Sequence, residues 1–123
     1  MSDNFVKEFL CFLDAIKTYH WQTKVYARHI ASDSLHKNLS KKVDDFVETY
    51  YGTDSGERPE MADGETNPLK NYTDENIVQV MKSFRKYVNE KLTDKIDGNN
   101  GLLHIRDEMI ADIDKTLYLF TFH

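Results

Sequence analysis

The sequence has 123 residues, a formal net charge of −5 and 40% hydrophobic content, with seven Phe, seven Tyr and one Trp. That supplies one sizeable core but too little chain for two, so residues 1–123 are expected to form a single domain. The acidic balance and the lack of a Lys/Arg-rich arm argue against phosphate-neutralising nucleic-acid binders, so DNA is not an expected partner.

A charged content of 30% with only two Pro leans towards helix. Cys11 is the one cysteine, which excludes an intramolecular disulfide and suits a reducing compartment. The start, MSDNFVKEF, has no basic segment followed by an apolar run, and no apolar stretch approaches the length of a membrane span. The expectation is a soluble, cytoplasmic protein without a membrane partner.

The first predicted helix covers about 4–21. Ser2 or Asp3 can cap it, and Phe5, Phe9, Phe12, Leu13, Ile16 and Tyr19 recur at three- and four-residue steps. No Gly or Pro ends it. One helix continuing to Tyr51 would run about 70 Å, too long for so small a globule, so a tight turn is expected near Gln22–Lys24. His20 and His29 would face opposite sides of one straight helix, but a turn between them could bring them together.

The second predicted helix covers 25–51 and ends at Gly52, a suitable residue to follow a helix. At about 100° per residue, Ala31, Leu35, Leu39, Val43, Phe46 and Tyr50 share its apolar face. His29, Asp33, Asp44 and Glu48 share another stripe, roughly 130° away by the same geometry. They form two i,i+4 pairs, a spacing that sets side chains next to each other. One pair is His/Asp and the other Asp/Glu, both of them metal-ligand chemistry.

Within one chain the pairs cannot meet, because Asp33 and Asp44 lie about 16 Å apart along a helix. Ligands to a single metal sit about 2.0–2.2 Å from it. The midpoint of His29 and Glu48, however, is also the midpoint of Asp33 and Asp44, between Asn38 and Leu39. An antiparallel copy related by a two-fold axis there would set His29 against Glu48 of its twin, and Asp33 against Asp44. The expected partner is therefore a second copy of the chain, with two identical mixed sites across an isologous contact.

The segment 53–72 holds both prolines and two more glycines. A linker this long in a small domain suits a crossover that travels the length of a bundle. Thr73 can cap a third helix, predicted over 73–97, with Asp74 and Glu75 in its first turn. Its stripe is Ile77, Val80, Met81, Phe84, Val88 and Leu92, and Gly98 closes it. The fourth helix, over 101–122, buries Leu102, Ile105, Met109, Ile113, Leu117 and Phe120. His104 and Glu108, with Asp112 a turn on, read as a solvated face. The expected fold is all-α, four helices with one long crossover between the second and third. There is no strand pattern and no internal repeat.

With that architecture, the stretch 19–52 resembles the Dps-type mini-ferritins of the ferritin-like superfamily. The matching residues are His20-Trp21, His29 with Asp33, Asp44 with Glu48, and Gly52. The run IDKTLYLFTF, from Ile113 to Phe122, is similar to the end of that family's last helix. The chain is also similar to short ferritin-like proteins of phages and large viruses, which would place it in a host cytoplasm. The resemblance implies a ferritin-like four-helix bundle with a ferroxidase site shared between two-fold related subunits. His20, His29 and Asp33 would come from one subunit, with Glu48 as bridge and Asp44 as ligand or support from the other. Several features depart from the family. Three fewer residues separate the two histidines, Thr49 stands where an Arg commonly follows the Glu, and the basic tail of some members is missing.

Two functions follow. In the first, the protein binds Fe²⁺ at inter-subunit sites and oxidises it, with storage if a larger cage forms; Zn²⁺ or Mn²⁺ can substitute at such ligands. In the second, it is a non-enzymatic scaffold or partner-binding protein with a decayed or structural site. Lys37, Lys41 and Lys42, near the proposed axis, could neutralise the acids as ion pairs.

Overall fold

Asn4 opens the first helix by accepting the backbone N–H of Lys7 at 3.2 Å, satisfying one of the donors a helix start leaves unpaired. The computed structural model describes residues 4–53, 57–62, 67 and 69–122; Ser2 and Asp3, the expected caps, lie outside them. The helices are α1 (Phe5–Gln22), α2 (Tyr26–Gly52), α3 (Asn76–Glu90), the one-turn α4 (Thr93–Ile96) and α5 (Asn100–Leu119). Among the described residues there is no strand. The fold is all-α.

Helix directions follow from which ends meet. Phe5 packs on Tyr50 and Tyr51, so α1 and α2 are antiparallel. Gln22, at the end of α1, bonds Asn71 and the N–H of Tyr72, so α3 begins where α1 finishes. Phe120, just past α5, packs on Tyr19 and Arg28 at that same end. Thus α1 and α5 run one way, and α2 and α3 the other. The connection before α3 climbs along α1. Asn4 meets Met61, Asn67 donates to Asp14, and Asn71 reaches Gln22.

Around the core, α2 packs against α1 and α5, α5 also against α3, and α1 and α3 touch more lightly. The expected stripes are buried, with Tyr50, Val80, Ile105 and Leu117 only partly so. Phe5, Phe9, Phe12, Phe46 and Phe84 form a continuous aromatic cluster.

Several helix boundaries differ from expectation. The third helix stops at Glu90, because the Tyr87 carbonyl is shared by the N–H groups of Lys91 (2.8 Å) and Leu92 (3.1 Å). That sharing loosens the helical repeat, and only α4 resumes it. Asp97 (φ 41°) and Gly98 (φ 77°) then take left-handed conformations, which Gly adopts without a steric cost. Asn99 caps α5 by accepting from the Leu102 N–H at 3.0 Å. Gly52 is the last helical residue rather than the one beyond, and Thr53 follows it in a right-handed conformation. The third helix begins at Asn76 rather than at Thr73, so Asp74 and Glu75 precede its first turn; Thr73 and Asn76 exchange side-chain and backbone bonds at 2.8 and 3.0 Å across that start.

Candidate metal-binding stripe on the second helix

The last turn of a helix leaves carbonyls without partners. In α1 the carbonyl of His20 is satisfied by a side chain from the next helix, with His29 Nδ1 2.8 Å away. The reverse bond also forms, His20 Nδ1 lying 2.7 Å from the carbonyl of His29. The two rings stack with centroids 3.9 Å apart. The three-residue corner 23–25 between the helices makes this possible, turning α2 back so that both imidazoles share one side.

A carbonyl only accepts, so each Nδ1 carries the proton that makes its bond. The neutral rings therefore hold their lone pairs on Nε2, the atom that can bind a cation. His20 is 8% exposed, and its Nε2 is 4.0 Å from Asp33 Oδ1. Ser32 donates to the carbonyl of His29 at 3.1 Å and lies 3.3 Å from His20 Nδ1.

Asp33 is ringed by cations. Lys37 Nζ stands 3.0 Å from one carboxyl oxygen and Lys17 Nζ 3.7 Å from the other. The Lys37 hydrogen bond, more than any other influence, holds the Asp33 carboxyl below the usual carboxylate range. His36, one turn on, has its pKa lowered first by burial and then by Lys17.

The other half of the stripe has the opposite character. Asp44 and Glu48 are both exposed. The Asp44 charge, then a hydrogen bond between the two carboxyls, pushes Glu48 above its ordinary value. Among the described residues no cation pairs with either acid. Nor, among them, do three His, Cys, Asp or Glu side chains converge within one chain as a metal site. His20 thus meets both His29 and Asp33, and Asp44 and Glu48 stand apart from them along α2.

On α5, His104 pairs with Glu108 at 3.3 Å, while Asp112 takes Lys42 at 2.5 Å. Lys42 therefore turns away from the stripe, and Lys37 is the α2 lysine that neutralises an acid on it. Sequence reasoning missed Lys17, Ser32 and His36. Ser32 and His36 had a usable signal, each lying three residues after a proposed ligand on the same helix. Lys17, on another helix, had none.

The same outer side of α2 carries apolar groups. Tyr26 is 76% and Ile30 47% exposed, and Val47 and Tyr51 are partly exposed towards the other end. Tyr26 with Tyr51, and Ile30 with Val47, share the midpoint between Asn38 and Leu39 that relates His29 to Glu48. No described helix is long and apolar enough to cross a membrane.

A family model described as a family of unknown function (DUF5856) matches residues 20–120, and the chain belongs to that family. No curated protein and no solved structure matches it.

Proposed function

We propose that this DUF5856 member is a ferritin-like protein of the mini-ferritin type, binding Fe²⁺ between two-fold related copies and oxidising it. The observation that carries this reading is the reciprocal His20–His29 hydrogen-bonded pair, which frees both Nε2 lone pairs and sets that of His20 4.0 Å from the Asp33 carboxylate. Two imidazoles and a carboxylate suit ferrous iron, and as half of a ligand set they call for the other half. Asp44 and Glu48 offer that half, since Asp44 raises the proton affinity of Glu48 and, among the described residues, neither acid pairs with a cation. The helix order, with one long crossover between two parallel helices, also supports the ferritin-like assignment.

Under this reading an antiparallel contact of α2 with its twin sets each imidazole half against an acidic half. The apolar pairs Tyr26/Tyr51 and Ile30/Val47 then cover one another at the margins. His20, His29 and Asp33 hold iron from one chain, Glu48 bridges from the other, and Asp44 binds or supports. Two ferrous ions together give two electrons. With two protons these reduce hydrogen peroxide to two waters, or dioxygen to hydrogen peroxide. A dimer turns iron over, while a larger cage would store the ferric product.

A second reading has its own observation. Lys37 and Lys17 already neutralise Asp33, as they would in a non-enzymatic scaffold with a structural or decayed site. A ferrous titration of the whole protein, followed by ferric absorbance, separates the two. The first reading expects a ferric signal that Glu48→Ala abolishes. No signal, in a dimer indifferent to chelators, overturns it in favour of the scaffold.

A further inference from the structure

The best-organised polar group outside the stripe lies on the back of the same α1–α2 corner. Tyr19 is fully buried, and its hydroxyl donates to Asp74 Oδ1 at 2.7 Å. The Thr23 hydroxyl donates to that same oxygen at 2.9 Å, and Thr23 Oγ1 accepts the N–H of Val25 at 3.2 Å. Arg28 Nη1 donates to the backbone carbonyl of Asp74 at 2.6 Å and to Tyr19 Oη at 3.2 Å. Its Nε donates to the carbonyl of Phe120 at 3.2 Å, and its guanidinium lies 4.8 Å over the Phe120 ring.

This clasp joins the end of α1, the corner, the start of α2, the approach to α3 and the end of α5. Its members are in register with the imidazoles, Tyr19 preceding His20 and Arg28 preceding His29. A bond between Tyr19 and Arg28 therefore spans the corner one residue behind the bonds between His20 and His29. The reciprocal imidazole–carbonyl bonds need both helix ends held to within a few tenths of an ångström, since hydrogen bonds weaken steeply as distance and angle drift.

We propose that Asp74 is a positioning residue for the imidazole pair. Its carboxylate, brought by the crossover, accepts from Tyr19 and Thr23 at once and locks the corner in the one geometry where both Nδ1 protons are consumed internally. Without that acceptor the corner relaxes, either ring can place its proton on Nε2, and the face offered to a cation is lost. The consequence for iron rests on the function proposed above. The consequence for the tautomers does not.

The test uses the full chain with ¹⁵N-labelled histidine, at a pH above the histidine range. Two-bond ¹H–¹⁵N spectra report which ring nitrogen is protonated. In the native protein His20 and His29 are both expected as the Nδ1–H form. Asp74→Ala is expected to convert each to a mixture with Nε2–H while helical circular dichroism is retained. Asp74→Asn, which keeps an acceptor oxygen, is expected to restore the native form. Should Asp74→Ala fail to fold, Thr23→Val removes one of the two donors and is expected to give a partial shift. Native tautomers in folded Asp74→Ala, or in Thr23→Val, overturn the proposal.

Ferrous oxidation measured on the same samples distinguishes the two ideas. A corner misplaced by about 1 Å is expected to slow it about 100-fold. Loss of the native tautomers in a protein that never oxidised iron sinks the proposed function and leaves the positioning role standing.

Discussion

Ile30→Ala probes the proposed two-fold contact without touching a ligand. Fully burying an Ile side chain is worth about 1.5–3 kcal/mol. In the single chain 47% of Ile30 is still exposed, so covering the remainder contributes about 0.7–1.4 kcal/mol on the same scale. An isologous contact uses each residue twice, which doubles this to about 1.5–3 kcal/mol per dimer. Truncation to Ala removes most of that, weakening the dimer roughly 10- to 100-fold. Sedimentation equilibrium over a concentration series measures it. Leu10→Ala is the control, since Leu10 is 50% exposed but sits on α1 and not on α2. Equal dimer constants for the two variants, or a native chain that sediments as a monomer, would refute the placement of the axis.

Glu48→Gln is expected to raise the melting temperature of the metal-free protein at low salt, because Asp44 repels the ionised Glu48 and raises its pKa. The gain should vanish near 1 M salt, where the screening length falls to about 3 Å, and a gain that survives there would show another cause. Acid should destabilise the fold through Asp74, whose carboxyl is held low by the Tyr19 hydrogen bond and then by Thr23 and Arg28. Its stabilisation is present above the unfolded carboxylate pKa of about 4 and lost as pH falls through the lower folded value, so Asp74→Asn should flatten the acid limb of a melting-temperature profile. Lys37→Met removes the cation bonded to Asp33. Titration calorimetry with Mn²⁺ should then show tighter binding at an intact dimer, whereas a purely structural role predicts a dissociated dimer and no gain.

Most of the helical plan was legible because apolar residues recur at the helical period. The stripe from Phe5 to Tyr19 and the stripe from Ala31 to Phe46 are buried as their spacing requires. The break after Glu90 was not legible. Leu92 continues the apolar period and stays buried, so periodicity alone carries the helix on past the shared Tyr87 carbonyl. The meeting of His20 and His29 could be posed from a turn between them, but its form could not, since two rings capping each other's carbonyls leaves no spacing signature. The Tyr19–Asp74–Arg28 clasp was hidden for a different reason. Its partners lie 46 and 55 positions apart, and only the crossover brings them together. Lys42 was misplaced because it lies beside the apolar stripe, where Asp112 of α5 is within reach.

The charge layout of α2 bears on how its two ends would meet. Its first half carries Lys37 against Asp33, with two further imidazoles, Arg28 being already engaged by Asp74, Tyr19 and Phe120. Its second half carries Asp44, Asp45 and Glu48 against Lys41 and Lys42, and Lys42 is already engaged by α5. An antiparallel contact therefore pairs a near-neutral half with an anionic one twice, while a parallel contact would set the two anionic halves against each other. About the same axis Lys37 is the mate of Ser40, one turn before Asp44, so its ammonium could serve Asp33 or the twin's acids. If the stripe binds metal as proposed, a lysine in that place would neutralise the acids between binding events, and a divalent cation would displace it on entering. The ion pair on Asp33 is thus compatible with iron chemistry as well as with a scaffold, and the affinity gained on removing Lys37, more than the presence of the pair, decides between them.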